Sequence, residues 1–249
     1  MPIFIFIFAH WFLSLFCQTF FLHRYAAHRM FTMSPFWERF FHVFSFLIQG
    51  SSYLNPRAYA IMHRMHHAYS DTEGDPHSPH HANLWQMVVQ MWTIYGDFAR
   101  GKLIPEQRFT QNVPDWNAFE KVTDSYWIRI LWGVLYSCFY FYFITDLWML
   151  IFLPIHFLMG PIHGAIVNWC GHKYGYRNFE NDDKSRNTLV MDFLMMGELY
   201  QNNHHKFPNR MNFAFRWFEF DPVYPIIRML QFFRIIHKTP RPAVQTVES

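Results

Sequence analysis

The stretch IFIFIFAHWFLSLFCQTFFL, residues 3–22, decides the fold of this chain because it carries no charged side chain. Twenty helical residues rise roughly 30 Å, the thickness of the hydrocarbon core of a bilayer. A cleaved signal peptide would have a basic start and a small-residue cleavage site, and this stretch has neither. It therefore predicts a retained transmembrane helix that ends just before Arg24 and Arg29.

A second apolar region runs from Ile130 to Cys170, where Asp146 is the only formal charge. The region is too long for one span, so Thr145 and Asp146 predict a tight connection between two spans. The shorter apolar stretches 40–54 and 84–98 predict interfacial or buried helices. We therefore expect an all-α integral membrane protein with about three transmembrane spans, interfacial helices and a cytoplasmic helical cap.

The composition agrees with a membrane protein that keeps a large polar portion in water. Of the 249 residues, 51% are hydrophobic and 21% aromatic, yet the mean hydropathy is only −0.06. A net charge of +3 suits an anionic cytoplasmic leaflet. Scattered basic residues without interleaved stacking aromatics exclude nucleic acid as the expected partner. We expect one domain over residues 1–240 and a disordered tail over 241–249.

The basic residues predict the orientation in the membrane through the positive-inside rule. Those that flank the spans gather on one side: Arg24, Arg29, Arg39, Lys173, Arg177, Lys184 and Arg186. With three spans, the N-terminus lies outside, and residues 23–128 and the chain from 171 onward lie in the cytoplasm. Residues 101–120, with two prolines, predict a polar loop.

Histidine is the outlying residue type, with sixteen copies. Four groups fall on the predicted cytoplasmic side: HRYAAH at 23–28, HRMHH at 63–67, NWCGH at 168–172 and QNNHH at 201–205. Histidine is the commonest metal ligand, and isolated buried histidines would not produce such groups. The clustering predicts a metal site in the cytoplasmic cap.

The spacing within the groups indicates how many ions are held. His63, His66 and His67 stand at i, i+3 and i+4, so a helix presents them on one side. Asn168 and His172 are four apart, and Gln201 precedes His204 and His205 by three and four. Adjacent histidines on a helix diverge by about 100°, which suits two ions better than one.

His23 and His28 are five apart, a poor spacing for a single α-helical face. We expect the helix to end between them, or each to serve a different ion. Histidines that stand alone are interpreted as packing residues: His10, His42, His156, His163 and His237. The DPHSPHH segment, with His77, His80 and His81, is compatible with a polar loop or a role at the site.

The types and number of donor atoms narrow the choice of metal. Imidazole suits Zn, Cu, Fe and Ni, and a structural zinc site closes with four ligands. Eight histidines with Asn168 and Gln201 suffice for two five- or six-coordinate ions. This count favours redox iron, although ligand type alone leaves zinc open.

The four motifs together resemble those of the membrane fatty acid desaturase family, specifically its acyl-CoA, stearoyl-type delta-9 branch in a bacterial form. The flanking sequences HHAYSDTEGDPHSP, GHKYGYRNF and SRN at 185–187 add to the resemblance, which extends over residues 20–237. Two departures stand out. Gln201 occupies the position of the first histidine of the third box, and one span instead of the usual pair precedes His23.

The resemblance implies a non-haem di-iron centre with two Fe ions. Its ligands would be His23, His28, His63, His66, His67, His172, His204 and His205, with Asn168 acting through water. Gln201 would bind through its carbonyl oxygen, bind through a water, or leave one metal more open. Carboxylates that hydrogen-bond the ligand rings and so orient them are expected at Asp71, Asp75 and Glu198, which neighbour the boxes. For Asp71, an exposed loop carboxylate is an equal alternative.

The resemblance also implies the reaction. O2 and two electrons from a separate donor protein, such as a ferredoxin or a small haem protein, remove two hydrogens from neighbouring carbons. The fatty acyl substrate, either an acyl-CoA or a phospholipid acyl chain in the membrane lipid, gains a cis double bond. The unfused chain resembles bacterial members, which implies the inner membrane with the active site facing the cytoplasm.

Two other functions are compatible with the same residues. The ligand set could hydroxylate a lipid or alkane, although the box spacing and the GDPHSP context favour desaturation. A non-enzymatic membrane metal carrier would place its ligands within spans near the midplane. The clusters here fall at span ends and in loops, which opposes transport.

Overall fold

The computed structural model describes residues 1–239 and is mostly helical, in agreement with the all-α expectation. The predicted tail at 241–249 lies outside the described residues. The α-helices are α1 (Pro2–Phe16), α2 (Pro35–Gln49), α3 (Pro56–Tyr69), α4 (Leu84–Ala99), α5 (Gln107–Thr110), α6 (Asn117–Thr123), α7 (Tyr126–Phe143), α8 (Leu153–Phe157), α9 (Met159–Lys173), α10 (Gln201–Lys206) and α11 (Val223–Phe232). Two short 3₁₀ turns cover Gly50–Ser52 and Leu147–Phe152, and β1 (Phe31–Met33) pairs antiparallel with β2 (Ile236–Lys238).

The first helix continues past Phe16 as a π-helix, Cys17–Ala27, so that the whole rod covers 26 residues from Pro2 to Ala27. Within residues 1–239 it is the one helix long and apolar enough to cross a membrane without a partner. Every residue of its π-helical part is buried. The predicted first span therefore corresponds to a single rod whose inner half lies in the centre of the molecule.

The second apolar region forms two helical arms, and its connection lies where we predicted it. α7 ends at Phe143, and the next arm begins at Leu147, so Thr145 and Asp146 form the turn. The second arm bends by 75° between α8 and α9. Pro161 has no N–H to donate to the Phe157 carbonyl, which explains the break. The Phe157 carbonyl, which therefore lacks its usual helical partner, accepts a hydrogen bond from the Ser51 hydroxyl at 3.5 Å.

The structure thus supports fewer spans than expected. Within residues 1–239, one helix qualifies, and the bent arm adds a second if both of its halves are counted as one span. α7 does not qualify, because Arg129 and several Tyr and Trp side chains lower its mean hydropathy. The expectation of three spans is not confirmed.

α2 and α4 are amphipathic, as expected for interfacial helices. α2 exposes Phe36 and Phe40, and α4 exposes Trp85 and Trp92. Their opposite faces pack inward. The expected loop over 101–120 is only partly a loop, because α5 lies within it and α6 begins at Asn117. Burial of Phe109 against the packed faces of α3 and α4 holds α5 in place.

α3 positions the second histidine group against the end of the first helix. Its start is fixed by Asn55, whose side chain accepts a hydrogen bond from the Ala58 N–H at 3.0 Å. Arg64 then donates to the carbonyls of Ala26 and Ala27, at 3.1 and 2.7 Å. These contacts satisfy carbonyls at the end of the π-helix, so Arg64 joins the two elements that carry the first two groups.

Candidate metal centre

Five histidines from three distant parts of the chain converge into one cluster, called here the first cluster: His23, His28, His63, His67 and His204. The Nε2 atoms of His23 and His204 are 2.9 Å apart. Those of His28 and His63 are 2.8 Å apart. His67 Nε2 lies 3.0 Å from the Nε2 atoms of both His63 and His204.

These separations fit a single metal ion between the five rings. Two imidazoles bound at right angles, each about 2.1 Å from a metal, have nitrogens roughly 3 Å apart. All five donor atoms lie within 4.8 Å of one another. This limit also admits two ligands on opposite sides of one ion. The five imidazole nitrogens of the first cluster therefore surround a space, called here the imidazole cage, that one metal ion can occupy.

The π-helix explains why His23 and His28 both belong to the first cluster. The His28 N–H donates to the His23 carbonyl at 3.1 Å, which is an i→i−5 bond. In an α-helix residues five apart diverge, but the wider π-turn stacks them on one face. Their ring centroids lie 5.1 Å apart. The helix ends at Ala27, between the two residues as predicted, and both rings nevertheless lie in the same cluster.

A second cluster consists of His66, His172 and His205, whose donor atoms also lie within 4.8 Å of one another. The Nε2 atom of each ring is buried without a hydrogen-bond partner. Burying an unpaired imidazole nitrogen is costly unless something else binds it. Three such nitrogens at one point fit a second metal ion.

Each ring of the second cluster is held from behind by a carboxylate that contacts its Nδ1 atom. Asp75 lies 3.0 Å from His66, Asp71 lies 2.9 Å from His172, and Asp183 lies 2.6 Å from His205. A carboxylate at Nδ1 fixes the ring so that the Nε2 lone pair faces the ion, a common arrangement behind metal-bound histidines.

The electrostatics of both clusters favour metal binding. In the first cluster, burial and then neighbouring histidines hold the pKa of His28, His63, His67 and His204 well below its ordinary value. These rings are therefore neutral and able to bind a cation. In the second cluster, burial opposes ionisation of Asp71, but His172, the Lys184 N–H and His80 together outweigh it and lower the Asp71 pKa to about 2.

Glu198 orients a ring of the first cluster in the way that the aspartates orient the rings of the second cluster. Its Oε2 atom lies 2.6 Å from His23 Nδ1, and Thr19 donates to its other oxygen. Arg24 is completely buried 3.7 Å from Glu198 and forms a 2.7 Å ion pair with Asp221. Sequence reasoning identified Glu198 but missed Thr19 and Asp221, which no local pattern marks. It interpreted Arg24 as a membrane-flanking charge, whereas the structure buries it beside Glu198 and Asp221.

Asp183 was also missed, although it lies within the chain between two recognised motifs. The structure brings together all eight predicted histidines and places Asp71, Asp75 and Glu198 against three of them.

Asn168 and Gln201 lie beside the clusters, where they line a cavity. The Asn168 amide donates to the Gly164 carbonyl at 2.9 Å, and the Gln201 amide donates to the Glu198 carbonyl at 2.7 Å.

This cavity separates the clusters from the apolar helices. It contains about 780 Å³ of space free of protein atoms, part of it open to the exterior. Its apolar wall is made by Leu15, Leu54, Met62, Met91, Trp92 and Val167, and its polar end by His23, His63, His77, Asn168, Glu198 and Gln201. An apolar group in this cavity would therefore lie against His23 and His63 of the first cluster.

Two of the histidines that we interpreted as isolated do not stand alone. His10 Nδ1 lies 2.6 Å from His156 Nδ1, and the Tyr140 hydroxyl lies 2.8 Å from His156 Nε2. His42 and His163 are buried packing residues, and His237 is exposed in β2. None of these five belongs to a metal-ligand group among the described residues.

The helical scaffold and the two histidine clusters define a class of helical proteins whose convergent imidazoles could hold metal ions. Comparison with known proteins gives the family. The fatty acid desaturase family model matches residues 1–232, and the chain belongs to that family. The expectation of an oxidoreductase of the fatty acyl desaturase type is thereby confirmed.

Individual relatives agree with the family. The chain is 26% identical over 227 residues to the sn-1 stearoyl-lipid 9-desaturase of Anabaena variabilis, covering 84% of this chain and 73% of the relative. It is 25% identical to the hex-5-enoyl-[acyl-carrier protein] acetylenase of Moorena producens, covering 96% and 77%. It is 28% identical to the acyl-CoA C20 Delta5-desaturase of Anemone leveillei, covering 88% and 67%.

Proposed function

We propose that this chain introduces a cis double bond into a saturated acyl chain with O2, using two non-haem iron ions bound at the two clusters. The observation that carries the proposal is the convergence of eight imidazoles beside an apolar cavity. A surface that only stored metal would not need a lipophilic cavity against its ligands. A lipid-binding pocket alone would not need two imidazole cages.

The residues divide between the ions as the clusters do. One ion would be held by the five histidines of the first cluster, and the other by His66, His172 and His205. Asn168 would act through water at the cavity side, and Gln201 would lie beside the second ion. Bound iron would supply the O2-dependent oxidising chemistry. The chain contributes neutral rings, fixed by Asp71, Asp75, Asp183 and Glu198.

The cavity would bind the substrate and decide which carbons react. An acyl chain has no polar group near its middle, so its position must come from the shape of the wall. Met62, Met91 and Trp92 provide that wall, and burial of the chain excludes water from the reacting carbons. Both acyl-CoA and acyl-lipid substrates satisfy this requirement, and relatives named for each are similar to the chain.

Electrons would enter from a separate donor through a second, cationic cleft. The cleft reaches His28 of the first cluster and is lined by Arg29, Lys206, Arg210 and Lys238, without any carboxylate among its lining residues. Lys206, Arg210 and Lys238 are exposed. A positive surface next to a ligand suits an acidic electron carrier, such as a ferredoxin or a small haem protein.

This docking assignment has a direct kinetic test. Lys206→Glu together with Lys238→Glu should raise the KM for an acidic donor at least tenfold at low salt, with the acyl-substrate KM unchanged. Lys121→Glu, an exposed charge reversal outside the cleft, serves as the control. An unchanged donor KM in the double variant would remove the cleft from the proposal.

We further propose three spans in a bacterial inner membrane, with both clusters facing the cytoplasm. The apolar rod Pro2–Ala27 and the bent arm support at least part of this arrangement. The basic residues on the cluster side support the orientation. Accessibility labelling of cysteines introduced at Lys121 and Asp146 tests it, because the two positions should lie on opposite sides.

Expression in a host that lacks the activity, followed by mass spectrometry of the fatty acids, tests the reaction itself. New monoenes should appear, and His66→Ala should abolish them and lower the iron content without unfolding the helices. Hydroxy acids in place of monoenes would indicate the hydroxylase alternative. Metal uptake into vesicles without O2 consumption would indicate the carrier.

A further inference from the structure

An apolar segment, LVMDFLMM at residues 189–196, precedes the last histidine motif and is called here the apolar loop. It is too short to cross a bilayer, and the structure folds it into turns rather than a helix. Four of its side chains are between 53% and 56% exposed: Val190, Met191, Phe193 and Leu194. Large apolar side chains gathered in this way on a surface indicate contact with another apolar body.

Asp192, the only charged residue of the apolar loop, is turned away from this surface. Its side chain is fully buried. Its carboxylate accepts hydrogen bonds from the Met195 N–H at 2.8 Å and from the Leu199 N–H at 2.9 Å. The exposed tip of the loop therefore presents no formal charge. A tip in water would lose nothing by an outward carboxylate, whereas a tip in contact with lipid would leave that group without solvation.

Backbone groups at the tip of the loop also have partners within the protein. The Tyr200 hydroxyl accepts a hydrogen bond from the Asp192 N–H at 3.1 Å and donates one to the Val190 carbonyl at 3.0 Å. The Asp192 carbonyl accepts a hydrogen bond from the Gly197 N–H at 3.0 Å. Lipid supplies no hydrogen bonds, so irregular backbone next to lipid needs such internal partners.

The apolar loop lies against the exposed part of α1. Trp11 Nε1 donates to the Leu194 carbonyl at 3.1 Å, and Met195 packs with Leu15 in a buried apolar cluster. The exposed side chains of the first helix end at Leu13. The loop therefore meets α1 at the inner end of its exposed part, where a membrane-spanning α1 would pass from lipid into the cap.

The exposed apolar surface continues beyond the loop on both sides. Within one helical turn of Trp11, Phe8 and Phe12 of α1 are exposed. Phe220, which precedes α11, is 41% exposed, and its ring centroid lies 5.4 Å from that of Phe193. A bilayer that surrounds the exposed face of α1 would therefore also reach the apolar loop.

We propose that the apolar loop inserts its exposed side chains into the lipid bilayer at the boundary between headgroups and acyl chains. An interfacial element buries its apolar side there without crossing the membrane. The loop is thus a membrane contact in addition to the spans. It holds the cap against the bilayer, because the last histidine motif follows it in the chain. This inference rests on the proposed crossing of α1 and is independent of the proposed reaction.

Fluorescence quenching in phosphatidylcholine vesicles tests this contact. The full chain, with Cys138→Ser and Cys170→Ser to remove the thiols that are not buried, carries one bimane label at Phe193→Cys. Lipids spin-labelled near the headgroup end of the acyl chain should quench this label roughly tenfold more strongly than a label at Glu180→Cys. Iodide on both sides of the membrane should show the opposite preference.

The two comparison positions are matched to the question. The Glu180 side chain is 96% exposed and charged, so it reports a position in water. A third label, at Phe8→Cys on the exposed side of α1, reports a position in lipid. Circular dichroism should show the same helix content in all labelled chains, because each substitution replaces an exposed side chain.

The results distinguish lipid from the other partners of the loop. If lipid quenches the Phe8→Cys label while iodide alone quenches the Phe193→Cys label, the inference is overturned and the proposed span stands. Protection of the Phe193→Cys label from both quenchers, with bismaleimide cross-linking of two such chains, would show that a second copy covers the loop and would also overturn the inference. If lipid quenches neither label, the proposed span of α1 fails together with the inference.

Discussion

Asp183 Oδ2 lies 2.6 Å from Nδ1 of His205, although the two residues come from separate segments of the chain. The contact completes a pattern in which every ring of the second cluster has a carboxylate behind it. Burial opposes the ionisation of Asp183, but His205 and the hydrogen bonds from Ser185 together outweigh it and lower the Asp183 pKa below its ordinary value. The carboxylate is therefore charged at neutral pH and holds the ring in position.

Replacing Asp183 should consequently weaken the second ion. Asp183→Ala should lower its affinity roughly 10- to 100-fold, the usual cost of removing a group that orients a metal-bound histidine. Asp182→Ala removes an exposed neighbour and should leave both ions in place. The measurement is metal titration of the purified variants, and equal affinities in the two would contradict the role of Asp183.

Gln201→His should be tolerated and should strengthen the second site. Position 201 lines the cavity, and its side chain packs against Gly171, where a Cβ atom would come 2.4 Å from Gln201 Cγ. The absence of a side chain at 171 leaves room for an imidazole. We expect second-ion affinity at or above the wild-type value, whereas Gln201→Leu, which lacks a donor, should not gain. Complete loss of iron in Gln201→His would reveal a different role for this residue.

Gly164 offers a way to shorten the cavity without touching a ligand. A Cβ atom there would make only ordinary contacts, the nearest being Met91 Sδ at 3.7 Å. Gly164→Leu should therefore fill part of the cavity, reduce turnover of the longest substrates at least tenfold and leave the metal content unchanged. Gly164→Ala is the control and should be active. Profiles of the fatty acid products would show the change, and an unaltered chain-length profile would exclude this wall as the binding surface.

The Arg24–Asp221 ion pair should be important for stability. Both side chains are fully buried. Asp221→Asn therefore removes the nearer of the two carboxylates that balance the buried Arg24 charge and leaves only Glu198, at 3.7 Å. Breaking such a pair typically costs about 3–5 kcal/mol. The free energy of unfolding in detergent should fall by that order. Arg108→Ala breaks the exposed pair with Glu106 and should have no measurable effect, and similar losses in both variants would contradict this interpretation.

Asp192 should make the stability depend on pH in a defined direction. Burial raises its pKa to about 6 from an ordinary value near 3.8, so the folded protein binds a proton more tightly than the unfolded chain. Stability from this proton is fully present below pH 3.8 and is lost as the pH rises through 6. The loss is on the order of 3 kcal/mol. Thermal unfolding between pH 4 and 7 should show a decline that is absent in Asp192→Asn, and parallel curves would refute it.

Much of the fold and the site could be predicted from the sequence because both depend on patterns within short stretches of the chain. An uncharged run of apolar residues predicts a helix of membrane length, and the rod Pro2–Ala27 contains the predicted span. The spacing of His63, His66 and His67 predicts one helical face, and α3 provides it. The exposed, aromatic α7 was harder to predict, since mean hydropathy does not separate an aromatic span from an interfacial helix.

The sequence by itself determined which residue types are grouped, that eight histidines form four motifs, and that apolar helices accompany them. Only the tertiary structure decided how the histidines divide between two clusters, because His23 and His204 meet across 181 residues. It also decided the π-turn that aligns His23 with His28, and the positions of Asp183 and His77. The physical reason is that periodicity fixes a side chain's direction on its own helix, while the packing of distant helices fixes what that side chain meets.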